Sequence, residues 1–236
     1  RFQFQIEPKT YQAILNQAQH LFPSVSIERI YQELKKMQLK HFDQALLYLW
    51  QLNLLQEIFP KLQKLTNASF EKILSHIATL PADCPLVLAL MELFPNETKE
   101  SQIEVLEYLK VSNEEVALAS FCFEARQLFE QKTSPYQWVV FYAHRFSEIS
   151  LRVIAARLPQ EGQEAFFLEN RERQKKLQKH IERKRTKKFP VNSDILKKYG
   201  INPGKKFGEL LQLAEEISVE YDLNDPQEIL SILEKS

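Results

Sequence analysis

Fourteen Lys or Arg lie between Arg171 and Lys206, against only Glu172, Glu182 and Asp194. From Phe207 to the end the balance reverses, with eight acidic residues and Lys235 as the only Lys or Arg. Lys184, Arg185, Lys187 and Lys188 crowd just ahead of a segment that holds three of the chain's four glycines, Gly200, Gly204 and Gly208, among Lys197, Lys198, Lys205 and Lys206. The chemistry such a set supplies is phosphate binding. Cations neutralise phosphate oxygens, and a helix N-terminus opened by glycine presents unbonded N–H groups to them. Gly200 can take the left-handed cap conformation after a short helix, Asn202-Pro203-Gly204 reads as a turn, and the next helix begins near Lys205. Gly208, inside that helix, would let a second helix cross closely. A tight helical hairpin with no ligand explains the glycines equally well but leaves the lysines unexplained.

The elements that must position these residues are helices. Glycine is scarce, Leu, Glu, Lys and Gln are abundant, and apolar residues recur at three- and four-residue spacing. The pattern predicts a first helix from Pro8 to Leu21, stopped by Pro23, with Tyr11, Ile14, Leu15 and Ala18 facing inward. Ser26 can cap a second helix striped by Ile27, Ile30, Tyr31, Leu34 and Met37, with Arg29 and Glu33 paired at i, i+4. The segment FDQALLYLWQLNLLQEIFP is apolar on most sides and should be central. Thr66-Asn67, Pro81, Pro95-Asn96, Ser112-Asn113 and Ser134-Pro135 punctuate further helices. Glu164 to Lys188 reads as one long charged helix ended at Phe189-Pro190, followed by a helix over Ser193–Tyr199, one reaching about Tyr221, and one from Pro226. The expectation is an all-α, elongated multi-helix array without a sheet, divided as residues 1–65, 66–188 and 189–236.

Other chemistries find little support. The formal net charge is zero, so a case for nucleic acid rests on local distribution alone. No GxxxxGK[ST], GxSxG or HExxH motif occurs, and His20, His41, His76, His144 and His180 show no metal-ligand spacing with Cys or Asp; they read as satisfied or exposed helix histidines, with no metal site. Glu114-Glu115 and Glu215-Glu216 are neighbours that diverge on a helix and read as solvated faces. Trp50, Trp138, Phe121, Phe123, Phe141 and Tyr142 read as core rather than as a base-stacking platform. Cys84 and Cys122, far apart in sequence, make neither a disulfide framework nor a redox pair and fit a reducing cytoplasm. No apolar run approaches the roughly 20 residues of a membrane span, and RFQFQIEPKT lacks a signal-peptide layout, so a soluble, cytoplasmic chain without membrane contact is expected. Beginning with Arg1, it is expected to be a piece of something longer.

Three stretches carry a family resemblance. FPVNSDILKKYGINPGKKFGELLQLAEE resembles the tail of bacterial class II tRNA nucleotidyltransferases, the CCA-adding enzymes and their poly(A) polymerase relatives, with Asp194, Leu196, Gly200, Pro203, Gly204 and Gly208 filling the pattern. SIERIYQELKKM resembles the family's neck motif, in which an Arg, a Glu and a following Lys brace the nucleotide pocket; Arg29, Glu33 and Lys36 stand in those places. ALLYLWQLNLLQEIFPKL is similar to the leucine-rich segment that follows, and RFQFQIEPKTYQAI to the stretch after the base-reading helix. The tail departs at Lys205-Lys206, where a Pro followed by an apolar or acidic residue is common. CPLVLALMELFPNETK lacks the His-Asp pair of the phosphohydrolase module that many relatives carry there.

The resemblance implies a neck, body and tail without the catalytic head, whose magnesium-holding and ATP/CTP-selecting motifs would precede Arg1. Mg2+ with ATP or CTP would belong to that head, and no cofactor to this chain. The partners implied are the head itself and tRNA, gripped by its acceptor and T arms through the sugar-phosphate backbone. The residues expected at that backbone are Arg183, Arg185, Lys187, Lys188, Gly204, Lys205 and Lys206. Two alternatives stand beside it: the same region of a bacterial poly(A) polymerase, and a helical protein-interaction module with a basic face.

Overall fold

The computed structural model describes residues 6–37, 41–201, 204 and 206–235. Among them are fifteen α-helices, short 3-10 turns and no strand, the all-helical architecture that the spacing predicts. In chain order the helices are α1 (Pro8–Gln17), α2 (Leu21–Ser24), α3 (Ile27–Lys35), α4 (Phe42–Gln51), α5 (Leu54–Ile58), α6 (Asn67–Ile77), α7 (Leu86–Met91) and α8 (Lys99–Tyr108). There follow α9 (Asn113–Glu130), α10 (Pro135–Ala143), α11 (Ser147–Ala155), α12 (Gln160–Thr186), α13 (Ser193–Lys198), α14 (Phe207–Glu220) and α15 (Pro226–Leu233).

Side-chain caps set many of these boundaries. Ser26, Thr66 and Ser134 each accept from the backbone N–H three residues on, satisfying a donor that the first turn leaves unpaired. Ser134 and Gln137 form a reciprocal capping box, and so do Ser112 and Glu115. Two predicted helices are interrupted. Residues 18–20 form a 3-10 turn after α1, and Asn53, with φ of 56° in the left-handed region, breaks the apolar third segment into α4 and α5. Asn is among the few residues that tolerate that conformation at modest cost.

The chain divides into two compact units, Arg1–Glu124 with Ile149–Gln163 and Ala125–Glu148 with Glu164–Ser236. The sequence-based division at 65/66 and 188/189 does not coincide with this one. In the first unit, Phe42, Leu46, Leu55, Leu62 and Phe70 are buried, and Trp50 stacks on Phe70 with centroids 4.1 Å apart while its Nε1 donates to Asn67. In the second, Val191, Leu196, Ala214, Ile217, Ile229 and Leu230 form the core of α13–α15, and α10 packs on α14. From Glu164 onward the long basic helix shares this unit with the tail, and Lys184 of α12 bonds Glu215 of α14 at 2.8 Å. No helix among the described residues is long and apolar enough to cross a membrane.

Candidate nucleic-acid interface

In the first unit, α3 turns Ile30, Tyr31 and Leu34 inward, and Arg29, Glu33 and the C-cap Lys36 are exposed on its outer side. Glu33 bonds Lys36 at 2.7 Å. That ion pair runs i, i+3 rather than to Arg29 as the spacing suggested, and the Lys36 ammonium lowers the Glu33 carboxyl from its ordinary value, with a smaller pull from Arg29. The inner side of α3 is anchored to the start of α9. Tyr31 Oη donates to Glu115 Oε1 at 2.6 Å, and Lys35 Nζ lies 2.8 Å from the same oxygen. Glu115 is thus no solvated carboxylate, contrary to the reading of the Glu114-Glu115 pair. Burial alone would raise its pKa, but the hydrogen bonds from Lys35, Tyr31 and Ser112 outweigh it and hold the group at about 2.

This anchor predicts a pH dependence. The folded value lies below the ordinary 4.5, so the carboxylate's contribution is complete above about pH 4.5 and disappears as pH falls toward 2. Urea unfolding followed between those limits should show the chain losing stability faster than Glu115→Gln, whose own curve should be flatter. Parallel curves would remove the anchor from the account.

The second unit places the basic segment at the end of α12. Lys187 closes that helix in the left-handed region, φ 55°, and Lys188 N–H returns to Arg183 O at 3.1 Å. The cations preceding this cap bond within the chain. Arg183 donates to Asn224 Oδ1 at 2.5 Å, Lys184 bonds Glu215 and Tyr136 Oη, and Arg185 donates to the Tyr142 carbonyl at 2.8 Å. Tyr142 is itself buried and donates to Asn170 Oδ1 at 2.6 Å. Glu215 is likewise a half-buried ion-pair partner, not a solvated face, and burial raises its carboxyl against the pull of Lys184. Lys187 and Lys188 are exposed. Lys187 also borders an open cleft of about 370 Å³ with Phe189, Asn192 and Gln212.

Beyond it, Asn192 caps α13 through its Oδ1, and Gly200 takes φ 84°, the left-handed cap its position predicts. Gly204 and Lys206 are exposed, Lys206 immediately before α14. Lys205, with Asn202 and Pro203 of the predicted turn, lies outside the described residues. The expectation for Gly208 is overturned: a Cβ there would meet nothing within 4 Å among the described residues, so none of the described helices crosses closely at that point. A Cβ at Gly204 would likewise meet nothing within 4 Å among the described residues. The structure thus leaves Lys187, Lys188 and Lys206 facing solvent, and commits Arg183 and Arg185 to internal hydrogen bonds.

Sequence reasoning passed over a second basic face, on α12 itself, where Arg171 and Lys175 stand one turn apart; their i, i+4 spacing was the available signal. It gave no hint that Tyr142 would receive Arg185, a link 43 residues long in sequence. His180 is buried with Nε2 2.8 Å from Asp222, and burial lowers its pKa against that carboxylate, which makes it a satisfied helix histidine.

Comparison with known proteins bears on the first unit. No curated protein matches the chain. Residues 3–65, less than half of the chain, match the family model described as "Probable RNA and SrmB- binding site of polymerase A". The segment that carries α1–α5 and the exposed Arg29, Glu33 and Lys36 is therefore similar to the RNA-binding region of a poly(A) polymerase-like enzyme.

Proposed function

We propose that the chain is the RNA-gripping part of a template-independent nucleotidyltransferase that adds CCA, or part of it, to tRNA 3′ ends. The observation that carries this reading is the exposed Lys187-Lys188 pair closing α12, in a chain whose opening 3–65 match an RNA-binding region. Cations at a helix end, followed by a glycine-opened helix start near Lys206, suit a sugar-phosphate backbone and carry no sequence preference, as a grip on every tRNA requires. Arg29, Glu33 and Lys36 would brace the nucleotide pocket from the outer side of α3. The transfer chemistry would belong to a separate catalytic head with Mg2+ and ATP or CTP. Arg183 and Arg185, held by hydrogen bonds within the chain, would flank the RNA surface, while Lys187, Lys188, Lys206 and Lys205 with Gly204 would meet the RNA.

The matched description names polymerase A, which favours a second reading, the same region of a bacterial poly(A) polymerase. Hydroxyl-radical footprinting of tRNA bound to this chain separates the two. Protection confined to the acceptor and T arms is the expected result. Uniform weak protection, or protection of a single-stranded 3′ end alone, would contradict the tRNA grip and favour poly(A) addition.

A further inference from the structure

The second basic face lies along α12, from Arg171 up to Arg185 just before its cap. Arg171, Lys175, Gln178, Glu182 and Arg185 follow one another at three- and four-residue steps, which keeps them on one side of a helix, and Gln174 stands beside Lys175, three residues after Arg171. They border a shallow groove of about 290 Å³, and its floor is the buried pair Tyr142 and Ile181. From Arg171 to Arg185 the face runs roughly 21 Å at 1.5 Å per residue. Arg171, Lys175 and Gln178 are exposed, Gln174 is half-buried, and Glu182 is the only carboxylate among the residues that border the groove.

The mixture of groups on this face is specific. A solvated helix face usually interleaves Lys with Glu, whereas here glutamines stand beside Arg171 and Lys175, and Glu182 is the one acid before Arg185. A carboxamide offers both a donor and an acceptor, which is what a ribose 2′-hydroxyl offers in return. Guanidinium and ammonium groups meet phosphates, and the rigid helix fixes the amides beside them. We infer that this face is a second RNA contact, in which Arg171 and Lys175 hold phosphates while Gln174 and Gln178 read the 2′-hydroxyls of an A-form strand, so that the chain prefers RNA to DNA. The inference rests on the RNA-binding reading above and adds to it a site and a sugar specificity.

Anisotropy titration of the chain with an RNA duplex and a DNA duplex of the same sequence, over a salt series, tests it. Arg171→Ala with Lys175→Ala should weaken RNA binding roughly tenfold and flatten the log K against log salt slope by nearly two units, at just under about one unit per phosphate. Gln174→Ala with Gln178→Ala should leave the slope and close the gap between RNA and DNA. Glu182→Gln should tighten binding, since it removes the carboxylate that repels phosphate; a merely structural helix face would not respond in that direction. Equal binding of RNA and DNA by the parent chain overturns the inference. So do unchanged affinities in all three variants, and if Lys187→Glu with Lys188→Glu still fails in that case, the proposed function stands without this site. Absence of RNA binding by the parent chain overturns both.

Discussion

Replacing Lys187 and Lys188 together by glutamate is expected to lower the affinity for tRNA on the order of a hundredfold at low salt and to flatten the salt dependence by about two units. Both side chains are exposed at the end of α12, so the substitution removes two cations and adds two anions without opening the core. A change of fold could mimic that loss, and the backbone of Lys187 offers a control. Its φ of 55° places a lysine where glycine is favoured. Lys187→Gly should relieve about 1 kcal/mol of left-handed strain and melt no lower than the parent, yet bind RNA more weakly. Binding that tracks melting temperature across both variants would place these lysines in the scaffold and not at the RNA.

Arg157→Ala should destabilise the first unit by about 3 kcal/mol, or roughly 6–12 °C in melting temperature. The Glu92 side chain is only 1% exposed, and Arg157 holds its Oε2 through Nε at 3.1 Å and Nη2 at 2.6 Å. Removing the guanidinium takes two charge-assisted hydrogen bonds from a buried carboxylate, the costly half of breaking such a pair. Replacing both partners by apolar residues of similar size should recover much of the loss, because neither charge then has to be desolvated. Thermal melts of the single and double variants measure this directly. RNA affinity measured below the transition should stay at the parent value, since neither residue belongs to the proposed RNA surface. Equal destabilisation in the two variants would show that the site needs volume rather than charge pairing.

Local features were legible in the sequence because local rules decide them. Ser26, Thr66, Ser112 and Ser134 stand where capping chemistry puts them, and Gly200 takes the left-handed φ that its position after α13 demands. Helix α3 was legible from its stripe. What failed was any reading that needed a partner distant in sequence. Glu115 looks like half of a solvated Glu pair until Tyr31, 84 residues away, donates to it. Glu215 looks the same until Lys184 arrives from α12. Arg183 and Arg185 carry the same charge as Lys187 and Lys188, but only the fold shows that Asn224 and the Tyr142 carbonyl occupy them. Gly208 suggested a helix crossing, but a Cβ there would meet nothing within 4 Å among the described residues, which removes that reason for a glycine. The break at Asn53 lacked the Gly or Pro that usually announces one.

The central claim is a grip on folded tRNA, and it is tested most directly by titrating the chain with tRNA lacking CCA and with a single-stranded RNA of equal length, side by side over a salt series. The account predicts tighter binding to tRNA at every salt concentration, with a steep slope that Lys187→Glu and Lys188→Glu reduce. Equal affinity for the two RNAs would contradict it and leave the poly(A) polymerase reading in its place.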